Sequence, residues 1–330
     1  MLALAALLFA EHVIAAGEDA RGFAIEGRTL VTWGGRIAMR PLPDGPARVL
    51  RGAGPPLGEG VAVLDIDRDG AADVAAIETD GTLAWFRGRD GARRSIDTGV
   101  VSDDLLPAVL FGRRGILLIH KHQQMRFYQV PRDPAGEWPP PRDIYSIYTP
   151  SRQGGLLVAD IDRDGRADIL CGNYWIRAPA AYHLPWRLFA INTWTEEEDS
   201  ALLRLAFRDG VLAAAQRERV PARLARFTRH RDPREQWPHE RLGQDLDLAR
   251  LNSVELADFD GDGRLEILAA ENGGEGRVVV FRGGAAETIA RGAPVARART
   301  ADVNGDGRPD VVMLRGAVIS WLENRTPAAR

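Results

Sequence analysis

Asp160-Ile161-Asp162-Arg163-Asp164-Gly165-Arg166-Ala167-Asp168 is the stretch that decides how this chain is read. Carboxylates stand at positions 1, 3, 5 and 9, and glycine at position 6 permits the sharp turn that would gather them. Hard oxygen donors at this density suit Ca²⁺, which takes about six to eight oxygens. Without a cation the gathered charges repel one another. One copy would read equally well as a hydrated acidic turn, but the segment recurs. Asp65, Asp67, Asp69 and Asp73 repeat it, as do Asp258, Asp260, Asp262 and Glu266. Asp302, Asn304, Asp306 and Asp310 form a fourth copy. An EF-hand would need a bidentate Glu at position 12. Those positions are Ala76, Cys171, Ala269 and Met313, and none of them chelates a hard cation.

Each acidic loop runs into apolar, strand-like residues, such as Val74-Ala-Ala-Ile77 and Val311-Val-Met-Leu314. An aromatic strand follows, as in Gly81-Thr-Leu-Ala-Trp-Phe86 and Ala317-Val-Ile-Ser-Trp-Leu-Glu-Asn324. The Asp-x-Asp-x-Asp-Gly-x-x-Asp loop with these two strands resembles the FG-GAP/VCBS repeat family. The resemblance covers most of the chain, although only some units keep the acidic ligands. It implies a calcium-bearing β-propeller, the fold of integrin α-subunit heads, with up to four structural Ca²⁺ ions. It speaks for the fold and says little about function.

The first Asp of each loop falls at 65, 160, 258 and 302. The gaps are 95, 98 and 44 residues, so each long gap holds two units of about 47 residues, the size of a four-stranded blade. Strand-turn-strand patterns without carboxylates fill the missing places, at 23–31, 108–119 and 203–213. The expected fold is all-β, a seven-bladed β-propeller of four-stranded blades with acidic loops in blades 2, 4, 6 and 7. A second repeat supports the register. Arg132-Asp-Pro134 with Trp138-Pro139 returns 99 residues later as Arg231-Asp-Pro233 with Trp237-Pro238. The chain has no outer strand after Trp321, and Glu11–Ala16 has the pattern of one. The ring is therefore expected to be closed by this N-terminal strand, which leaves no open sheet edge.

A chain of 330 residues can bury a large core, and 45% hydrophobic with 27% charged residues is an ordinary globular composition. No apolar run is long enough to span a bilayer. The single Cys171 rules out an internal disulfide. Residues 1–10 read as a signal-peptide remnant without its basic start, and 11–330 as one propeller domain. Together with a calcium requirement this points to a secreted or periplasmic location. The net charge of −3 hides 15 loop carboxylates among 46 acids, and four bound Ca²⁺ would bring it to +5. That permits a polyanionic partner. No basic cluster interleaved with aromatics suggests nucleic acid, and a monomer is expected.

All acidic loops join the first and second strands of their blades, so they should share one face. The opposite face, centred on blades 3 to 6, is the expected site for a carbohydrate or a cell-surface protein. Asn173, Tyr174, Trp175, Arg177, Asn252 and Glu271 are the candidate ligand-binding residues there, by stacking and hydrogen bonding. His120 and His122, read as sharing one side of a strand, are candidate acid–base groups with Tyr174 and His183. The alternative to a binding module is thus a carbohydrate-active lyase or dehydratase on that face. Arg217–Arg234 reads as an exposed ribbon edge and Asn192–Glu198 as a solvated segment. No Ser-His-Asp order, phosphate-binding loop or His-Glu-x-x-His helix is present.

Overall fold

The computed structural model describes residues 6–327, apart from 18, 150, 192–200 and 218. Among the described residues every regular element is a strand, and the strands form seven sheets in chain order, antiparallel apart from one short parallel pair. Blade 1 is Ala20–Glu26, Thr29–Gly34, Ile37–Pro41 and Arg48–Arg51. Blade 2 is built the same way from Val61–Leu64 to Arg93–Asp97, and blade 3 from Leu105–Leu110 to Arg142–Ser146. Blades 4, 5 and 6 begin at Leu156–Ala159, Ala201–Arg208 and Leu251–Ala257. Blade 7 takes three strands from Val295–Ala301, Asp310–Arg315 and Val318–Asn324, and its fourth from Phe9–Ala16. Among the described residues no helix is long and apolar enough to cross a membrane.

The ring closes as the sequence predicts. Phe9–Ala16 pairs antiparallel with Val318–Asn324, with His12 opposite Trp321 and Phe9 opposite Asn324. The strand thus starts two residues before Glu11. Leu7 is buried between blades 6 and 7, where Phe9 also packs, and the Leu8 N–H donates to Thr326 Oγ1 at 3.0 Å. A cut after Ala10 would strip Leu7 and Phe9 from that cluster. Blade 5 carries an element the sequence did not suggest. Gln153–Gly154, just before blade 4, pairs parallel with Ala201–Leu202 and splices the two blades together.

The core is a set of wedges between blades. Seven buried clusters fill the seven interfaces, including the one between blade 7 and blade 1, where Trp321, Ile319 and Val312 meet Phe23 and Leu30. The second residue of each acidic loop helps to fill them. Ile66, Ile161, Phe259 and Val303 are all buried in the clusters. The repeated Trp-Pro segments are equivalent in three dimensions too. Trp138 Nε1 donates to Pro134 O at 3.0 Å, and Trp237 Nε1 to Pro233 O at 3.1 Å, in the outer hairpins of blades 3 and 5.

The position-6 glycines of the acidic loops, Gly70, Gly165, Gly263 and Gly307, have φ of 83–85°. A Cβ there would meet nothing, so backbone conformation alone demands glycine. Position 4 is also left-handed, with Gly261 and Gly305 in blades 6 and 7 but Arg68 (φ 62°) and Arg163 (φ 61°) in blades 2 and 4. Arg163 is exposed, so truncation would cost little packing. Arg163→Gly is expected to stabilise the protein by about 0.5–1 kcal/mol, as relieved strain outweighs added chain entropy. Denaturant titration would read this as a higher midpoint at unchanged slope, and a lower midpoint would contradict it.

Candidate functional site

The acidic loops share one internal design. The first Asp accepts two backbone N–H groups across the turn. Asp160 Oδ1 takes Asp164 N–H at 3.0 Å and Oδ2 takes Gly165 N–H at 2.9 Å, and Asp65, Asp258 and Asp302 do the same. The ninth residue is a buried clamp. Asp168 accepts from Ile161 N–H at 3.1 Å and Ala178 N–H at 2.7 Å, tying the loop to the end of the third strand. Asp310 repeats this with Val303 at 2.9 Å and Asn324 at 2.8 Å, and Asp73 with Ile66 and Gly88. Glu266, one methylene longer, takes Phe259 N–H on Oε2 at 2.7 Å and keeps Oε1 for another partner.

Three loops gather carboxylates that could hold a metal ion. In blade 6, Asp258, Asp260, Asp262 and Glu266 offer oxygens within 4.8 Å of one another. Asp65, Asp67 and Asp73 do so in blade 2, and Asp160, Asp162 and Asp168 in blade 4. The blade 6 set fits a hard divalent cation best, with four converging carboxylates. Burial, followed by the like charges of Asp260, Asp258 and Asp262, pushes Glu266 up to about 7 despite the Phe259 N–H. Burial likewise drives Asp168 up to about 6, against the pull of the Ala178 N–H. In blade 7 the acids Asp302, Asp306 and Asp310 form no such cluster among the described residues, and Asn304 donates toward Asp306 at 3.4 Å.

An arginine at the end of the third strand leans on each of these three clusters. Arg87 reaches Asp67 (2.7 Å) and Asp69 (3.2 Å), and Arg177 reaches Asp162 (2.6 Å) and Asp164 (3.2 Å). Arg282, itself buried, reaches Asp260 at 2.8 Å. Position 5 in blades 2 and 4 is thereby drawn out of the cluster. The signal was present in the chain as Phe86-Arg87, Ile176-Arg177 and Phe281-Arg282, each at the end of the third strand and level with the ninth loop residue. Blade 7 has Glu323 at the equivalent place, next to Asn304 (3.3 Å) and His12 (3.0 Å). A cleft of about 440 Å³ lies between the blade 6 and 7 loops, lined by Asp258, Asp260 and Asp302.

The expected ligand platform of blade 4 is not assembled. Asn173, Tyr174, Trp175 and Arg177 lie along one turn and strand that crosses the blade from face to face. Trp175 is buried in the blade 4–5 core and Arg177 is on the acidic-loop face. His183 follows from that same end, beside Tyr182, which is sandwiched between the guanidinium groups of Arg113 and Arg142 at 4.2 and 4.1 Å. His183 is thus separated from His120, His122 and Tyr174, which lie at the ends of strands on the other face. His120 and His122 do not share a strand side either. The strand Arg113–His120 stops at His120, and His122 sits in the turn with φ 59°.

His120 has a structural partner instead, since Val101 N–H donates to its Nδ1 at 3.3 Å. Burial, then the charges of Arg126 and Lys121, lower its pKa from the usual 6.5. The folded state therefore binds fewer protons than the unfolded chain near that pH, and stability should fall as the pH drops through about 6.5. His120→Gln, which cannot titrate, is expected to lose less stability than wild type between pH 7.5 and 5.5. Equal losses in urea titrations would assign the effect to another group.

Glu271 is likewise spent on the fold. It is fully buried, forked by Arg277 (2.8 Å to each oxygen), and accepts the N–H groups of Ala249 (2.7 Å) and Arg277 (2.9 Å). Asn252 faces the central channel, donating to Ala296 O and accepting from Arg204 at 3.1 Å. Arg217 does not sit on an exposed ribbon edge. It reaches Glu59 at 2.7 Å, and Glu59 also holds Arg204 at 2.6 Å. Glu59, Arg204 and Asn252 line the channel toward the face away from the acidic loops. The channel, enclosed by the first strands of the blades, has a volume of about 610 Å³, and five arginines and five carboxylates line it. The segment Asn192–Glu198 lies outside the described residues.

Comparison with known proteins agrees with this geometry. Residues 258–313, which hold the blade 6 and 7 loops, match the family model described as FG-GAP-like repeat, and so bear out the resemblance read from the loops. No curated protein matches the chain. Among solved structures, YCF48 from Cyanidioschyzon merolae is similar over 96% of this chain and 98% of its own, at 9% identity and a TM-score of 0.61. BamB from Moraxella catarrhalis is similar over 99% and 100%, at 11% identity and a TM-score of 0.56. BBS1N, solved in complex with ARL6DN, is similar over 98% of both chains, at 10% identity and a TM-score of 0.62. At these identities the likeness concerns the fold alone.

Proposed function

We propose that this protein is an exported, calcium-stabilised propeller that serves as a binding module for a carbohydrate or a surface partner. One observation carries the reading: the two faces have divided their chemistry. The acidic loops occupy one face, where their oxygens suit structural cations. The other face opens onto a polar channel of ligand size, lined by Glu59, Arg204 and Asn252, with Arg217 holding Glu59 from behind. The blade 6 loop would hold Ca²⁺ through Asp258, Asp260, Asp262 and Glu266, where the cation would offset the crowded charge. Its role is to fix the ring, and the channel-bearing face meets the partner.

A glycan and keto-sugar screen with and without EDTA tests this. Retention of a glycan without its conversion, weakened by EDTA, is the expected result. Turnover of a keto-sugar would replace the module by an enzyme. Failure to retain any glycan in either condition would sink the carbohydrate reading.

A further inference from the structure

The channel lining includes Arg297, a cation joined to no acid by an ion pair among the described residues. Arg297 lies on the inner strand Val295–Ala301 of blade 7, and its guanidinium sits over the indole of Trp33 in blade 1, 5.1 Å from the ring centroid. Trp33 is a fixed support. It is fully buried, and its Nε1 donates to Gly58 O at 3.1 Å. Gly22 makes room for it, because a Cβ there would come within 2.6 Å of the ring. Arg297 Nε is buried without an acceptor, and no hydrogen bond or ion pair joins Arg297 to any described residue. The nearby acids are engaged elsewhere, Glu255 by Arg299 and Thr300 and Glu59 by Arg204 and Arg217. Burial, then Arg299 and Arg204, works against the charge on Arg297 and lowers its pKa. An arginine still keeps its proton at neutral pH, so this half-buried guanidinium stays charged and open to an anion in the channel.

The chemistry of that anion follows from the wall. A stacked guanidinium presents its edge as a planar fork, which matches a carboxylate with two parallel hydrogen bonds. The lining is balanced between five arginines and five acids, so it suits a single negative charge better than a dianion. A volume of about 610 Å³ exceeds the needs of a simple acid and fits a sugar ring or two. Glu59, Asp104 and Asn252 line the wall with further acceptor oxygens, which suit hydroxyl groups. We infer that Arg297, held on Trp33, receives the carboxylate of a sugar acid in the central channel. This rests on the binding-module reading and narrows its ligand class.

Calorimetry on the full chain with galacturonate, digalacturonate, galactose, acetate and phosphate provides the test. The sugar acids should bind at least about tenfold more tightly than galactose, acetate or phosphate. Arg297→Gln should weaken them by at least about tenfold, with Arg297→Lys between the two. Without ligand, Arg297→Gln should melt no lower than wild type, since it removes a charge that has no ion-pair partner. A lower melting point would overturn the inference, because it would mean that the guanidinium is already satisfied. So would sugar-acid binding that survives Arg297→Gln, or acetate or phosphate binding as tightly as galacturonate. Binding of neutral glycans alone would overturn it too, while leaving the binding module intact.

Discussion

A chain lacking residues 6–17 is expected to lose on the order of 5 kcal/mol of stability, or to fail to fold cooperatively. The strand removed makes seven register pairs with Val318–Asn324 and is the fourth strand of blade 7. Its loss exposes the backbone edge of that strand and uncovers Trp321, on which His12 stacks at 4.9 Å. It also takes Leu7 and Phe9 from the blade 6–7 cluster, so two interfaces suffer. Thermal melts would show a large drop, and a synthetic peptide of residues 6–17 should restore most of it in trans. An unchanged melting temperature would refute closure by this strand.

Arg282→Gln is expected to have an effect that depends on the cation. In chelator, the substitution leaves Asp260 buried among Asp258, Asp262 and Glu266 without its guanidinium, at a cost of about 3–5 kcal/mol. On the calcium reading proposed above, Ca²⁺ should return most of that loss. A site filled to a hundred times its Kd contributes about 2.7 kcal/mol by mass action. The same variant should therefore look severe in EDTA and mild in millimolar Ca²⁺, as read by denaturant midpoints. An equal loss in both conditions would mean that Ca²⁺ does not take over the role of Arg282 beside Asp260.

The fold was legible in the chain because its determinants are local. A nine-residue loop, a turn and the strands beside it repeat at about 47 residues, and that spacing gives both the blades and the vacancy that Phe9–Ala16 fills. The ligand candidates fared differently. Position along one strand sets Trp175 in the core and Arg177 at the acidic face, although both are on the same side of the sheet, and composition alone cannot tell them apart. The channel network joins Arg204 to Glu59, 145 positions away, and Arg297 to Trp33 across the ring seam. Such pairs leave no periodic trace, because only the closed ring makes them neighbours. The arginines on the acidic loops fall between these cases, visible as a recurrent apolar–arginine pair whose meaning depends on strand register.

The loops around the ring also obey a rule of parity. Acid-bearing blades 2, 4 and 6 alternate with plain ones, and the Trp-to-Pro tie marks the plain blades 3 and 5. An even ring could keep that alternation all the way round, but seven members cannot. Like must meet like at one seam, and it does so where blades 6 and 7 set their acidic turns side by side. Mutual repulsion there is a topological debt of the odd number, and the cleft between the two turns marks where it falls.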